Sequence, residues 1–369
     1  MDSPYIGRIF GIRVQLHWTF VMLLLFGLVL LATSPELIYL FVVVVLLFVC
    51  VFIHELAHSI TAKRNGINIK KIVLLPLGGA SVMDTDDIAP ELEYRISVVG
   101  PLMSIFLGLV FGVIVVYMPA GILKQLVQFL FLINILLGAF NLIPGFPLDG
   151  GRVFRSYLQR KRSYLRATQI TVKASNVVVV LLIVGTIVYA AALTGYSLFE
   201  KEFIVFWDVL IAMYLYGGAK AEMQNAYMKE YTSDLHVKDV MSSNYVVVDR
   251  NATMEQLYRI MMRERTHIII VKNGNNVRLV TKLSPQGPFG KPPSTNALEA
   301  SVPLPYIDWG AKLSKALEVM AVENVGLLAV KKRGKFVGIV LGQHLEYVIA
   351  LRMAKKGEER KRGAAKRTK

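Results

Sequence analysis

Up to about residue 217 the chain is built from long apolar runs with few charges, and beyond residue 220 the runs shorten, alternate with charged positions and repeat. Residues 37–53 (LIYLFVVVVLLFVCVFI) carry no charge at all. Crossing a bilayer takes ~20 apolar residues as a helix, and on that measure the pattern predicts six spans, at residues 16–33, 37–63, 96–118, 122–143, 172–193 and 203–217. The sixth is short and contains Asp208. After Asp234 an amphipathic helical pattern followed by two short apolar strands occurs twice: from Ala252 with strands ending at Val271 and Val280, and from Ala311 with strands ending at Val330 and Val340. The expected organisation is a membrane domain at 1–222, a linker at 223–234, a soluble α/β domain at 235–353 and a basic tail at 354–369.

Composition agrees with this division. With 54% hydrophobic residues and a mean hydropathy of +0.50, the 369-residue chain is too apolar for an ordinary soluble protein. The apolar run starting near Trp18 reaches Thr33 without a small-residue cleavage pattern, so it reads as a first span and not as a removable signal peptide. Cys50 stands alone, which excludes an intramolecular disulfide framework and leaves histidines and carboxylates as the donors for any metal.

The net charge of +16 is concentrated in residues 152–173 (Arg155, Arg160, Lys161, Arg162, Arg166) and in the tail that starts at Lys355. No nucleic-acid-binding module accompanies it, so a nucleic-acid partner is not expected. A basic connection between spans instead fits the positive-inside rule, and the tail fits a solvated or headgroup-attracted extension. Connections near Pro35, Ala120 and Gly195 are poor in Lys and Arg. The expectation is an integral, multi-pass protein of the cell membrane, with both termini and the soluble domain in the cytoplasm.

Candidate chemistry lies within the second run, at His54-Glu55-Leu56-Ala57-His58. Residues at i and i+4 share a helix face, so both imidazoles can reach one metal while Glu55 stands beside it to take a proton from water. Three ionisable groups at the end of an uncharged run are expensive in lipid unless they have a function. Catalytic zinc takes three protein ligands and keeps one position open. The best third candidate is Asp149 in NLIPGFPLDGGR, residues 141–152, where Pro144 and Pro147 break the helix and Gly150-Gly151 permit an irregular return of the backbone. Capping the following helix is the alternative role for Asp149. Asp84, Asp86, Asp87, Glu91 and Glu93 are competing carboxylates in a segment that reads as a solvated polar loop.

The two motifs together, HELAH on the second span and NLIPGFPLDGGR after the fourth, resemble the site-2 protease family of intramembrane zinc metalloproteases. The resemblance covers roughly residues 5–220. It implies a polytopic α-helical membrane domain of about six transmembrane helices, a zinc metalloendopeptidase activity, His54, His58 and Asp149 as ligands of one Zn2+, and Glu55 as the catalytic base. It also implies a membrane-anchored protein substrate and a role for Asn141 in holding substrate or transition state, with an interhelical hydrogen bond as the alternative. Residues 77–83 (LGGASVM) are then a strand for pairing with an extended substrate, or a re-entrant loop.

The repeated soluble half resembles a tandem pair of cystathionine-β-synthase-type (CBS) domains. Members of that family bind adenosine nucleotides between the repeats through a Thr or Ser followed, three residues on, by an Asp. Here Thr281 is followed by Ser284, and Leu341 by His344, so the carboxylate for a ribose diol is missing and nucleotide binding is left open. Association of two copies through these domains, or exclusion of substrate, is the alternative use. A CBS-regulated transporter or a non-catalytic membrane scaffold is the competing reading of the whole chain, which the Glu between the two histidines and the Pro-flanked Asp-Gly-Gly argue against.

Overall fold

The computed structural model describes residues 4–34, 37–75, 78–83, 88–192, 198–265, 268–273, 276–280, 295–344, 347–348, 351–352 and 354. The chain divides into two compact units, Met1–Ala226 and Tyr227–Lys369.

The first unit opens with a hairpin of β1 (Tyr5–Ile9) and β2 (Ile12–Leu16), whose turn residues Phe10 and Gly11 both take left-handed φ values of 50° and 76°, as tight hairpin turns require. Helices α1 (Trp18–Thr33) and α2 (Ile38–Arg64) follow, then β3 (Ile69–Leu75), β4 (Gly78–Met83), α3 (Pro90–Tyr117) and α4 (Ile122–Asn141). The unit is completed by α5 (Asp149–Gln159), α6 (Tyr164–Ala192) and most of α7 (Leu198–Thr232). The four-valine stretch within α2 is helical despite its strand propensity. In hydrocarbon a backbone must satisfy its own hydrogen bonds, and a lone strand cannot.

Among the described residues four helices are long and apolar enough to cross a membrane, α2, α3, α4 and α6, and the apolar α1 is shorter. Of the six expected spans, these four match by length and composition. Their packing puts small and polar side chains inside and leaves large apolar ones outside. The buried stripe of α3 is Glu93, Ile96, Ser97, Gly100, Pro101, Ser104 and Gly108, small or polar apart from Ile96, while Leu102, Phe106, Leu109, Val113 and Tyr117 lie exposed. Gly108 and Gly138 let α3 and α4 approach closely: a Cβ on Gly108 would meet Ile135 at 2.7 Å and one on Gly138 would meet the Pro101 carbonyl at 2.8 Å.

The strands form a four-stranded sheet in the order β1-β2-β3-β4, with β2 and β3 parallel and the other pairs antiparallel. One face buries Ile12, Ile69, Ile72 and Leu74 against Ala62 of α2 and Ile96 of α3. β4 is the last strand of the sheet and pairs Gly79 with Leu74. The segment LGGASVM, expected as strand or loop, is therefore a strand from Gly78 onward.

The second unit holds two copies of one arrangement. In the first, β5 (Val246–Val248), α9 (Met254–Glu264), β6 (Ile269–Asn273) and β7 (Asn276–Val280) pair parallel then antiparallel. The second repeats this with β9 (Tyr306–Asp308), α10 (Leu313–Glu323), β10 (Leu327–Lys332) and β11 (Lys335–Leu341). The short α8 (Val237–Val240) precedes them and β8 (Val302–Pro303) extends the first sheet. Ile270 and Leu279 of the first sheet share a core with Ala329 and Ile339 of the second.

Candidate metal centre

One turn apart on α2, His54 and His58 are both buried, and their Nε2 atoms lie 3.2 Å from each other. Asp149, the first residue of α5, places Oδ2 3.1 Å from each Nε2. Tetrahedral zinc with ligand distances of ~2.0–2.1 Å holds its ligand atoms ~3.3 Å apart. The three donors thus stand almost as one face of such a tetrahedron, and their chemistry, two neutral nitrogens and one carboxylate oxygen, suits zinc. Burial alone would raise the Asp149 carboxyl, but hydrogen bonds to His54 and His58 outweigh it and hold the group well below the usual carboxylate range.

Each imidazole is oriented by its other nitrogen. His58 Nδ1 donates to the Ile96 carbonyl at 2.6 Å, and His54 Nδ1 is hydrogen-bonded to Ser104 Oγ at 2.9 Å. These bonds fix the ring planes and leave the Nε2 lone pairs for the metal. Ile96, Gly100 and Ser104 lie four residues apart along one face of α3. Gly100 sits between the other two because the histidines occupy the space its side chain would need: a Cβ there would come within 2.8 Å of His54 Nε2 and closer still to the His58 ring.

Glu55, next to His54, faces β4. A Cβ on Gly79 would lie 2.9 Å from its carboxyl carbon, and Ser81 Oγ donates to Glu55 Oε2 at 3.4 Å while sharing a 2.8 Å hydrogen bond with Ser59 Oγ. The edge strand thus supports the carboxylate directly.

Asp149 does not cap a helix. Leu148 is the N-cap of α5, with no side-chain capping bond. Gly150 and Gly151 lie inside α5, so their role is close approach and not irregular backbone: a Cβ on Gly151 would sit 2.7 Å from the Phe146 nitrogen, and one on Gly150 would collide with the carbonyls of Leu142 and Ile143. The turn before it is anchored by Phe146, fully buried, whose N–H donates to Ser175 Oγ at 2.8 Å.

Two charged groups differ from their expected settings. Arg155, counted among the cations of a basic loop, is 4% exposed on α5 and ion-paired with Glu93 and, at 3.0 Å, with Glu222. Glu93, expected in a solvated loop, lies in the first turn of α3 and is buried against α5. Burial works against the Arg155 charge, but Glu93 and Glu222 more than compensate and raise its pKa. Asp84, Asp86 and Asp87 lie outside the described residues, as do Thr281 and Ser284 of the soluble half. Asn141 ends α4 and donates to the Leu137 carbonyl of its own helix at 2.9 Å. The motif spacing carries the three donors and Glu55, whereas Ile96, Gly100, Ser104, Ser81 and the Arg155 cluster are found only through contacts between elements. The four-residue spacing of small and polar positions in α3 is the one trace of them in the sequence.

The family model for peptidase family M50 matches residues 42–120 and 117–185, and that for the CBS domain matches residues 237–282. A zinc metalloprotease of Methanocaldococcus jannaschii is 33% identical over 274 residues, covering 73% of this chain and 75% of that relative. Rip3 of Mycobacterium tuberculosis is 29% identical over 260 residues, covering 66% of this chain and 64% of that protein. Among solved structures, the site-2 protease from Methanocaldococcus jannaschii shares 33% identity, covers 60% of this chain and 95% of that one, and aligns with a TM-score of 0.44.

Proposed function

Because the chain belongs to peptidase family M50, the site-2 proteases, and is a zinc metalloprotease with an integral membrane domain and a CBS-like soluble domain, we propose that it hydrolyses peptide bonds within or near the transmembrane segments of membrane-anchored proteins. His54, His58 and Asp149 hold the zinc ion, and Glu55 is the general base. The observation that carries this reading is the triangle of donors with sides of 3.1 and 3.2 Å beside a carboxylate fixed on the same helix.

When bound, zinc supplies Lewis acidity that polarises the scissile carbonyl and lowers the pKa of an attacking water toward ~7. The chain's own groups do the rest. Ser104 and the Ile96 carbonyl keep both Nε2 atoms turned inward, so no reorganisation is needed as charge develops. Glu55, braced by Ser81 and Gly79, takes the proton from water and returns it to the leaving amine. A helical substrate hides its carbonyls in its own hydrogen bonds and must be drawn out before attack. The outer edge of β4, which also supports Glu55, offers backbone groups for that extended segment. The distribution of Lys and Arg supports a protein of the cell membrane with both termini and the soluble unit on the cytoplasmic side. The soluble unit modulates access or turnover.

The test is cleavage of a membrane-anchored substrate by the purified full-length protein, beside Glu55→Gln and a chelator-treated sample. Activity should fall by at least ~100-fold in Glu55→Gln with zinc content unchanged, and vanish with chelation until zinc is restored. Folded protein that binds no zinc, or a Glu55→Gln variant that cuts at the wild-type rate, would refute the assignment.

A further inference from the structure

We propose that Arg155 is a positioning residue for the metal centre, tying the helix that carries Asp149 to the helix that orients both histidines. The inference rests on the reading of Asp149 as a zinc ligand.

Helix α5 has 11 residues and begins at Asp149 without a side-chain cap. It is not among the candidate spans, and its first turn packs through Gly150 and Gly151 against the turn before it. Further along, its inner face is held to α3 by one carboxylate. Glu93 of α3 accepts from Arg155 Nη2, from Ser156 Oγ at 2.9 Å and from Gln159 Nε2 at 3.3 Å. Glu93 stands three residues before Ile96, whose carbonyl orients His58, and Gly100 and Ser104 follow on the same stripe. A single helix therefore sets the aim of both imidazoles and the position of the helix bearing the third donor.

Arg155 makes this junction rigid from several directions. Its guanidinium bonds Glu222 of α7 at 3.0 Å and lies over the rings of Phe146, 5.0 Å away, and Tyr164, 4.9 Å away. Phe146 belongs to the turn that delivers the chain to Asp149, so the cation clamps that turn from behind. A buried ion pair is poor evidence of stabilisation, because apolar residues of equal volume often do as well; fixing one arrangement is its best-attested use. Here that arrangement is the distance between α2 and the start of α5.

The experiment measures zinc affinity by chelator competition, the visible absorption of the cobalt-substituted protein, and metal-free melting, all on the full chain in detergent. The variants are Arg155→Gln, Arg155→Lys, Glu93→Gln and the Arg155→Gln/Glu93→Gln double variant. The single Gln variants are expected to weaken zinc binding ~10–100-fold and to alter the cobalt bands. Arg155→Lys keeps the charge without the fork, so it should fall between these and wild type. The double variant, which can pair two amides, should be no weaker than either single one. Where a Gln variant fails to fold, Arg155→Lys gives the same reading. Wild-type affinity and cobalt bands in folded variants, with only melting lowered, would overturn the proposal by reducing Arg155 to a general brace. Asp149→Ala separates the two levels. If it leaves zinc affinity unchanged, the ligand assignment fails; if it lowers affinity and the Arg155 variants do not, only the positioning role fails.

Discussion

A methyl group at position 100 would stand in the space that the two imidazoles occupy. Its carbon would come within 2.8 Å of His54 Nε2 and closer to the His58 ring, so Gly100→Ala is expected to remove bound zinc, measured as metal content after gel filtration, although every donor is still present. Ser104→Ala is a milder change. It frees the His54 ring without filling space and should weaken zinc binding ~10–100-fold in chelator competition. Neither residue is conspicuous in the sequence, where a Gly and a Ser in an apolar run look like ordinary span residues. The histidines and Glu55 are legible because their meaning lies in spacing along one helix, and Asp149 because prolines and glycines mark its turn. Arg155 was unreadable for the opposite reason: it sits among exposed cations, and only the packing of α5 on α3 separates it from Arg160 or Arg162.

At the scale of elements, β4 and α2 act as a pair, since the strand contributes Ser81 and the glycine that lets Glu55 lie against it. Gly79→Ala is therefore expected to lower turnover while leaving zinc content unchanged, which a parallel measurement of cleavage and metal would show. The α3–α4 contact depends on small residues, and Gly138→Leu should separate the helices at a cost of roughly 1–3 kcal/mol, seen as a lower melting temperature in detergent. The apolar runs located α2, α3, α4 and α6 well, because hydrocarbon leaves a backbone few alternatives to helix. They were less informative about α7. Charges at Lys220 and Glu222 end the apolar run, yet the helix continues to Thr232 through residues 223–232, since Ala, Met, Glu and Lys favour helix whatever their polarity. In the soluble half, the repeat showed in the helix-strand-strand pattern, whereas the pairing of both sheets over one shared core did not.

The whole molecule has separate apolar cores in its two units. Calorimetry in detergent should then resolve two transitions, of which zinc shifts one. Free zinc at 100 times its dissociation constant adds ~2.7 kcal/mol to the unit that binds it and nothing to the other; a soluble-unit transition that moved equally would contradict this. The donors also come from distant parts of one chain, since His58 and Asp149 lie 91 residues apart. During synthesis the histidines emerge first and wait through β3, β4, α3 and α4 before the third donor exists. On the proposed assignment, a nascent or truncated chain ending before residue 149 holds only two of the three ligands, too few for tight zinc. On the proposed ligand set, proteolytic competence is thus deferred until α2, α3 and α4 have been made, so that a shorter molecule is harmless to its neighbours in the membrane.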